Sequence, residues 1–269
     1  MLPPVSSFLM GWDQDFKASA EGIVDTVRAV VQELTNNYRR VRYLASVARS
    51  RWFTDPQDTF EQISLSRAWD YESELERQRH RRVLEEVACL RGTANWGNAL
   101  ELGCHDGVFT LDLASRCTHV MACDISSDAC ARARLRCSAL SQVEVARLNV
   151  EIDTFPGKYD LIFAMDILNY VYGRDRMLGL CSKISAALER DGLLVITECR
   201  LAHYIQDGWF RSWVPAGGDI IVDLFASQPA LRLVHREFHP DAGQDVGPHY
   251  MAHVIAMYEK NEEGGTIGR

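Results

Sequence analysis

From Ala99 onward, short apolar runs alternate with stretches whose apolar residues recur at helical spacing, the signature of βαβ units wound around a parallel sheet. The runs predict strands at Ala99–Cys104, His119–Asp124, Val143–Arg147, Tyr159–Asp166 and Leu193–Glu198. Before the fifth run, Met177, Cys181, Ile184 and Leu188 share one helical face, and Gly192, after Arg190 and Asp191, predicts the stop of that helix. Two further β-rich runs follow, Leu231–Phe238 and Met251–Tyr258. Their connection, His239 to Tyr250, is too short and too rich in Pro, Gly and Asp for a crossover helix, so these two strands are expected to pair antiparallel. The pattern predicts a doubly wound α/β fold, with a mostly parallel seven-stranded sheet and an antiparallel C-terminal strand pair.

Upstream, Ile23, Val27, Val30, Val31, Leu34 and Tyr38 fall on one helical stripe within residues 16–49. An N-terminal helical extension over residues 1–55 is therefore expected. Its stripe suits packing on its own chain, covering a site, or forming a homodimer, and the pattern does not choose among these. A polar stretch around Asp55, Pro56 and Gln57 precedes a second helical segment, Glu72–Leu90. The main domain is expected over 56–260, with a flexible tail at 261–269.

Composition narrows the partners. With 47% apolar and 25% charged residues, the 269-residue chain has the balance of an ordinary globular protein. A formal net charge of −8 argues against nucleic acid, whose backbone is bound through clustered Lys and Arg. The basic run Arg77–Arg82 lies among Glu72, Glu74, Glu76, Glu85 and Glu86, which suits a solvated helix face. The eight cysteines form no CxxC pair and no His-Cys spacing of a zinc site, so no metal is expected, and reduced buried thiols in the cytoplasm fit best. The N-terminus lacks the basic and apolar regions of a signal peptide. No stretch approaches the roughly 20 apolar residues of a membrane span.

The candidate chemistry sits at Glu101-Leu-Gly-Cys-His-Asp-Gly107, a turn leaving the first strand and entering a helical pattern at Val108. Ligands bind at such carboxyl edges in open α/β sheets. Gly103 removes a Cβ where a ligand meets the backbone, and Gly107 relieves crowding as the chain turns into the helix. Asp124 ends the second strand about 20 residues on, where a carboxylate receives two ribose hydroxyls. An adenosine-containing ligand is expected. A dinucleotide would need glycine at the third and sixth places counted from Gly103, but these hold His105 and Val108. Glu101 suits the cationic amino end of a methionine moiety better than it suits phosphates. The reading is therefore S-adenosyl-L-methionine.

Several of these segments also carry a family resemblance. Trp69-Asp-Tyr71 with Glu74-Leu-Glu-Arg-Gln-Arg-His80, Ala99-Leu-Glu-Leu-Gly-Cys104 with Gly107-Val-Phe-Thr110, Tyr159 through Tyr170, and Trp213 with Ala216 through Val222 together resemble the NodS group of nodulation N-methyltransferases. That group belongs to the Rossmann-like class I methyltransferases. The resemblance runs from about Trp69 to Tyr258 and implies cofactor roles for Gly103, Asp124 and Arg79. It also implies an acceptor that is the free amine of an amino-sugar oligosaccharide. His105 departs from the glycine that many class I methyltransferases place there.

The remaining candidates keep two readings each. Asn149 and Val150 follow the third strand, where the resemblance implies recognition of the adenine edge, but Asn149 also suits a turn. Ile125 and Met165 complete the expected cofactor set. Asp166 ends the fourth strand and either orients the acceptor and takes its proton or caps the following helix. Tyr170 is a hydrogen-bond candidate or a core aromatic, and His203 is the first choice among the histidines for proton chemistry. Trp209, Arg211 and Trp213, in the segment after the fifth strand, are candidates for contact with a sugar, the tryptophans by stacking, or they seal the core.

Overall fold

The computed structural model describes residues 56–67, 71–171, 173–200, 217–239 and 252–261. The chain divides into two units, Met1–Trp69 and Asp70–Arg269. The first contributes helix α1 (Pro56–Ser66); all other described elements belong to the second.

Helix α2 (Glu74–Arg91) begins where Ser73 accepts the Glu76 N–H and where Glu74 and Glu76 place negative charge on the first turn. It ends at Gly92, whose φ of +79° a residue with a Cβ would resist. Strands β1 (Asn98–Leu102), β2 (His119–Asp124), β3 (Val143–Arg147), β4 (Tyr159–Met165) and β5 (Leu188–Cys199) run parallel, as expected. Helices α3 (Val108–Ala114), α4 (Ser127–Arg136) and α5 (Arg174–Ala187) connect them, with a 3₁₀ turn at Leu168–Tyr170 after β4. Helix α6 (Gly218–Ala226) precedes β6 (Leu231–His239) and β7 (His253–Lys260). The sheet order is β3-β2-β1-β4-β5-β7-β6, and β7 is antiparallel to both β5 and β6.

Because strand side chains alternate between faces, the sheet builds two cores. Leu100, Ile162, Leu194 and Ile196 pack on one face with Ile184 of α5 and Phe225 of α6. Ala99, Leu161, Phe163 and Val195 pack on the other with Val83 and Val87 of α2 and Phe109 of α3. The strand order reverses between β1 and β4, which opens the crevice at their carboxyl ends.

Most element ends differ from the sequence reading by a residue or two. Strand β1 stops at Leu102 because Gly103 turns at φ +78°. Helix α5 stops at Ala187, and Leu188 already pairs with Tyr159. Asp191 (φ +58°) and Gly192 then lie within an irregular start of β5, so Gly192 marks a bulge rather than a helix stop. Strand β7 starts at His253. The eight cysteines are free thiols, and no helix among the described residues is long and apolar enough to cross a membrane.

Candidate active site

The loop after β1 is tied to its neighbours by backbone. The N–H groups of Gly103 and Cys104 both donate to the Cys123 carbonyl at 2.7 and 2.9 Å. A Cβ on Gly103 would overlap the Ile167 Cγ2 of the turn after β4, and one on Gly107 (φ +80°) would press on the Ala133 Cα of α4 at 3.1 Å. Both glycines therefore set how closely the loop approaches its neighbours. His105 holds a left-handed φ of +47° without being glycine. Its ring lies 4.5 Å from that of Tyr71, and its Nε2 lies 3.3 Å from Arg132.

A buried carboxyl and a half-buried one flank this loop. Glu101 accepts the Thr110 hydroxyl at 2.6 Å. Burial pushes its pKa up to about 7, with Asp124, Asp112 and Asp106 adding to the rise. An ammonium group would supply the positive charge these surroundings favour. Asp124 accepts the His105 N–H through Oδ2 and the Ser126 N–H through Oδ1, each at 2.9 Å. Burial raises its pKa also, against the pull of those N–H groups. Each of its oxygens keeps a second lone pair, enough for a pair of ribose hydroxyls.

The cleft in front of the loop, a space of about 350 Å³ that opens to solvent, is lined by Tyr71, Arg79, His80, Glu101, Gly103, Cys104, His105, Asp106, Val108, Phe109 and Met165. Beside it, the Ile125 carbonyl accepts from Arg147 at 3.2 Å. Asn149 uses its side-chain oxygen to accept the Glu151 N–H at 3.0 Å, so its turn-forming role is in place. Lys183 of α5 donates to the carbonyls of Val150, Glu151 and Asp153 at 2.8, 3.1 and 2.7 Å, pinning this loop.

Across the crevice, Asp166 holds φ +54° at the end of β4. Its carboxylate pairs with the Arg79 guanidinium of α2 and with the His253 Nε2 of β7, the latter at 3.2 Å. Arg79 also pairs with Glu76 and donates to the Thr197 hydroxyl at 3.0 Å. Burial alone would raise the Asp166 pKa, but Arg79 and His253 hold it well below the usual carboxylate range. The capping role is filled by a different residue: Glu198, buried at the end of β5, accepts the Leu168 N–H at 2.7 Å. Burial and the neighbouring Asp166 push the Glu198 carboxyl well above its ordinary pKa. Tyr170, half-buried, lies in the 3₁₀ turn with its N–H on the Ile167 carbonyl at 3.2 Å.

Glu101, Gly103, Gly107, Asp124, Ile125, Asn149, Val150, Met165, Asp166 and Arg79 thus gather along one edge of the sheet. His203, Trp209, Arg211 and Trp213 lie outside the described residues. Sequence reasoning missed Tyr71, Thr110, Glu198 and His253. For Thr110 and Glu198 a signal existed, since a polar residue interrupting an apolar helix face or strand end calls for a partner; His253 carried none.

The model of the nodulation protein S family, NodS, matches residues 60–246 of this chain. Nodulation protein S of Bradyrhizobium diazoefficiens is 26% identical over 153 residues, covering 57% of this chain and 69% of that protein. Its counterpart in Azorhizobium caulinodans is 27% identical over 168 residues, covering 62% and 75%. The crystal structure of N-methyltransferase NodS from Bradyrhizobium japonicum WM9, in complex with S-adenosyl-L-homocysteine, superposes with a TM-score of 0.62 at 23% identity, over 82% of this chain and all of that one. The order of the sheet, its antiparallel C-terminal pair and the family match together show that this chain belongs to the NodS family and is a class I S-adenosylmethionine-dependent methyltransferase.

Proposed function

We propose that this chain methylates the amine of an amino sugar or of a sugar-containing metabolite, using S-adenosyl-L-methionine bound along Glu101–Gly107. That donor supplies a methyl group activated on a sulfonium. The observation that carries the amine reading is Asp166. Held ionised by Arg79 and His253 at the crevice edge, it offers negative charge to a cationic acceptor. The N-methyltransferase name of the solved relative supports the same reading.

The geometry supports the roles of the described residues, and the place of Trp209, Arg211 and Trp213 after the fifth strand supports theirs. Asp124 is proposed to hold the ribose hydroxyls, Glu101 the amino group of the methionine portion, and Gly103 the close backbone approach. Trp209, Arg211 and Trp213 are proposed to hold the sugar. Holding acceptor and donor in line provides most of what such a reaction needs, on the order of 7–11 kcal/mol from proximity and orientation. A neutral amine is nucleophile enough once its proton has gone to water.

The test is mass spectrometry of products after incubation with isotope-labelled donor and a panel of amino sugars with their hydroxyl analogues. Label on nitrogen is the expected result. Label only on oxygen would overturn the amine reading and leave the methyltransferase in place.

A further inference from the structure

We propose that Arg136 is a positioning residue for the donor: from the end of α4 it clasps the cofactor loop at Asp106 and the turn before α2 at Glu72, and so holds the Tyr71 ring at the wall of the donor cleft. The inference rests on the donor site proposed above along Glu101–Gly107.

Three stretches of chain meet at this one guanidinium. The Arg136 Nε donates to the Asp106 carbonyl at 2.8 Å, and its Nη2 donates to the Asp106 carboxylate at 3.0 Å. Its Nη1 donates to the Glu72 carboxylate at 2.8 Å. Asp106 belongs to the loop that runs from β1 into α3, whereas Glu72 directly precedes Ser73, the cap of α2. The Glu72 carbonyl in turn accepts from the Arg77 Nε of α2 at 3.0 Å. The turn is thus held from the helix by its backbone and from the loop by its side chain.

The place of Tyr71 follows from this. It is the chain neighbour of Glu72, its ring lies 4.5 Å from that of His105, and it lines the cleft with Glu101, Gly103 and Met165. His105 is the chain neighbour of Asp106, whose carboxylate faces the His105 Nδ1 at 3.3 Å. The clasp therefore grips the residue next to each of the two rings. Because it reaches Tyr71 through Glu72, it acts on that ring independently of the contact with His105.

The chemistry of the clasp calls for arginine. A planar guanidinium directs its donors as a rigid fork, so it meets a carbonyl and two carboxylates at fixed angles, whereas an ammonium on a flexible stem carries the same charge without the fork. Arg136 also stands in the last turn of α4, where the carbonyl end of a helix favours a cation. Its two arms differ in surroundings. The Asp106 side chain is 15% exposed and that of Glu72 is 53% exposed, so the arm to the turn is the one that salt screens.

The test is calorimetry of the full chain with S-adenosyl-L-homocysteine, the thioether left after methyl transfer, at about 0.1 M and about 1 M salt. Glu72→Ala cuts the arm to the turn at an exposed site and leaves the loop arm in place. Tyr71→Ala removes the ring, and the double variant asks whether the two losses are one. Arg136→Lys keeps the charge and loses the fork.

Glu72→Ala should weaken binding about threefold at low salt, within what an exposed ion pair contributes. It should cost little once Tyr71 is already Ala, and the loss should shrink at about 1 M salt, where the Debye length is about 3 Å. Arg136→Lys should lose at least as much as Glu72→Ala. Unchanged affinity in Glu72→Ala, an equal loss with and without Tyr71, or wild-type affinity in Arg136→Lys would overturn the proposal. Gly103→Val separates the two readings. If it leaves the thioether bound as in the wild type, the donor lies elsewhere and the donor reading falls together with the clasp; if it abolishes binding while Glu72→Ala changes nothing, the clasp alone falls.

Discussion

At Asp124 both carboxylate oxygens already hold backbone N–H groups of the cofactor loop and of the turn into α4. The residue therefore shapes the loop, beyond the ribose-binding role proposed for it. Removing it with Asp124→Ala should weaken donor binding tenfold or more, since a charge-assisted hydrogen bond contributes about 1.5–3 kcal/mol. Calorimetry checks this, and an unchanged affinity would remove Asp124 from the site. His105 gives a contrasting expectation. Its left-handed φ costs roughly 1–2 kcal/mol for a residue with a Cβ, which His105→Gly would relieve. Against that stand the lost contact with Tyr71 and the greater chain entropy of glycine, about 0.5–1 kcal/mol. Stability should stay near that of the wild type and donor affinity should hold; a drop beyond tenfold would make the imidazole a ligand contact. Glu101 and Asp124 were legible in the sequence because each ends an apolar run at a telling spacing. His253 was not, because its meaning depends on a carboxylate from a distant strand, and no local pattern marks that pairing.

The elements were legible wherever periodicity alone decides them. All seven strands, and the antiparallel pairing of the last two, followed from apolar runs and one short connection. Their ends were less so. Gly192 looked like a helix stop because glycine ends helices and also admits bulges, and the register with β4 decides between the two. Between elements, side chains act as straps. Arg82 of α2 forks onto Glu237 of β6 at 2.8 and 2.6 Å and reaches Glu86 at 2.6 Å, while His235 stands 3.3 Å from Glu86. A guanidinium thus already occupies the place a cation would take among Glu86, His235 and Glu237. Lys183 does similar work between α5 and the loop after β3. Lys183→Met should lower stability by about 1–2 kcal/mol, the lower range for hydrogen bonds to a charged group at a partly exposed site. It should also raise the donor KM by loosening Asn149 and Val150. Thermal melts and initial rates test both, and a normal KM would separate this loop from the donor.

For the molecule as a whole, Glu101 ties folding to pH. Its pKa rises from an ordinary 4.5 to about 7 on burial. The folded state holds that proton more tightly than the unfolded chain, so this group's stabilisation is full below about pH 4.5 and is lost as pH rises through about 7. The loss is roughly 3 kcal/mol. Glu101→Gln should recover part of it, seen as a higher melting temperature at pH 8 than the wild type. Donor affinity should rise toward pH 7 in the wild type and stay flat in Glu101→Gln, as the paired ammonium needs an ionised partner.

Three carboxyls, Glu101, Asp124 and Asp166, stand at the ends of β1, β2 and β4. Their shared field acts on what leaves as well as on what enters. Transfer of the methyl removes the sulfonium charge, so the spent thioether meets that edge with one positive charge fewer than the donor did. Added salt, which shortens the Debye length from about 10 Å at 0.1 M to about 3 Å at 1 M, should loosen the donor more than the product. Product inhibition should therefore be mildest at low ionic strength, where the protein's own charge favours replacing spent cofactor with fresh.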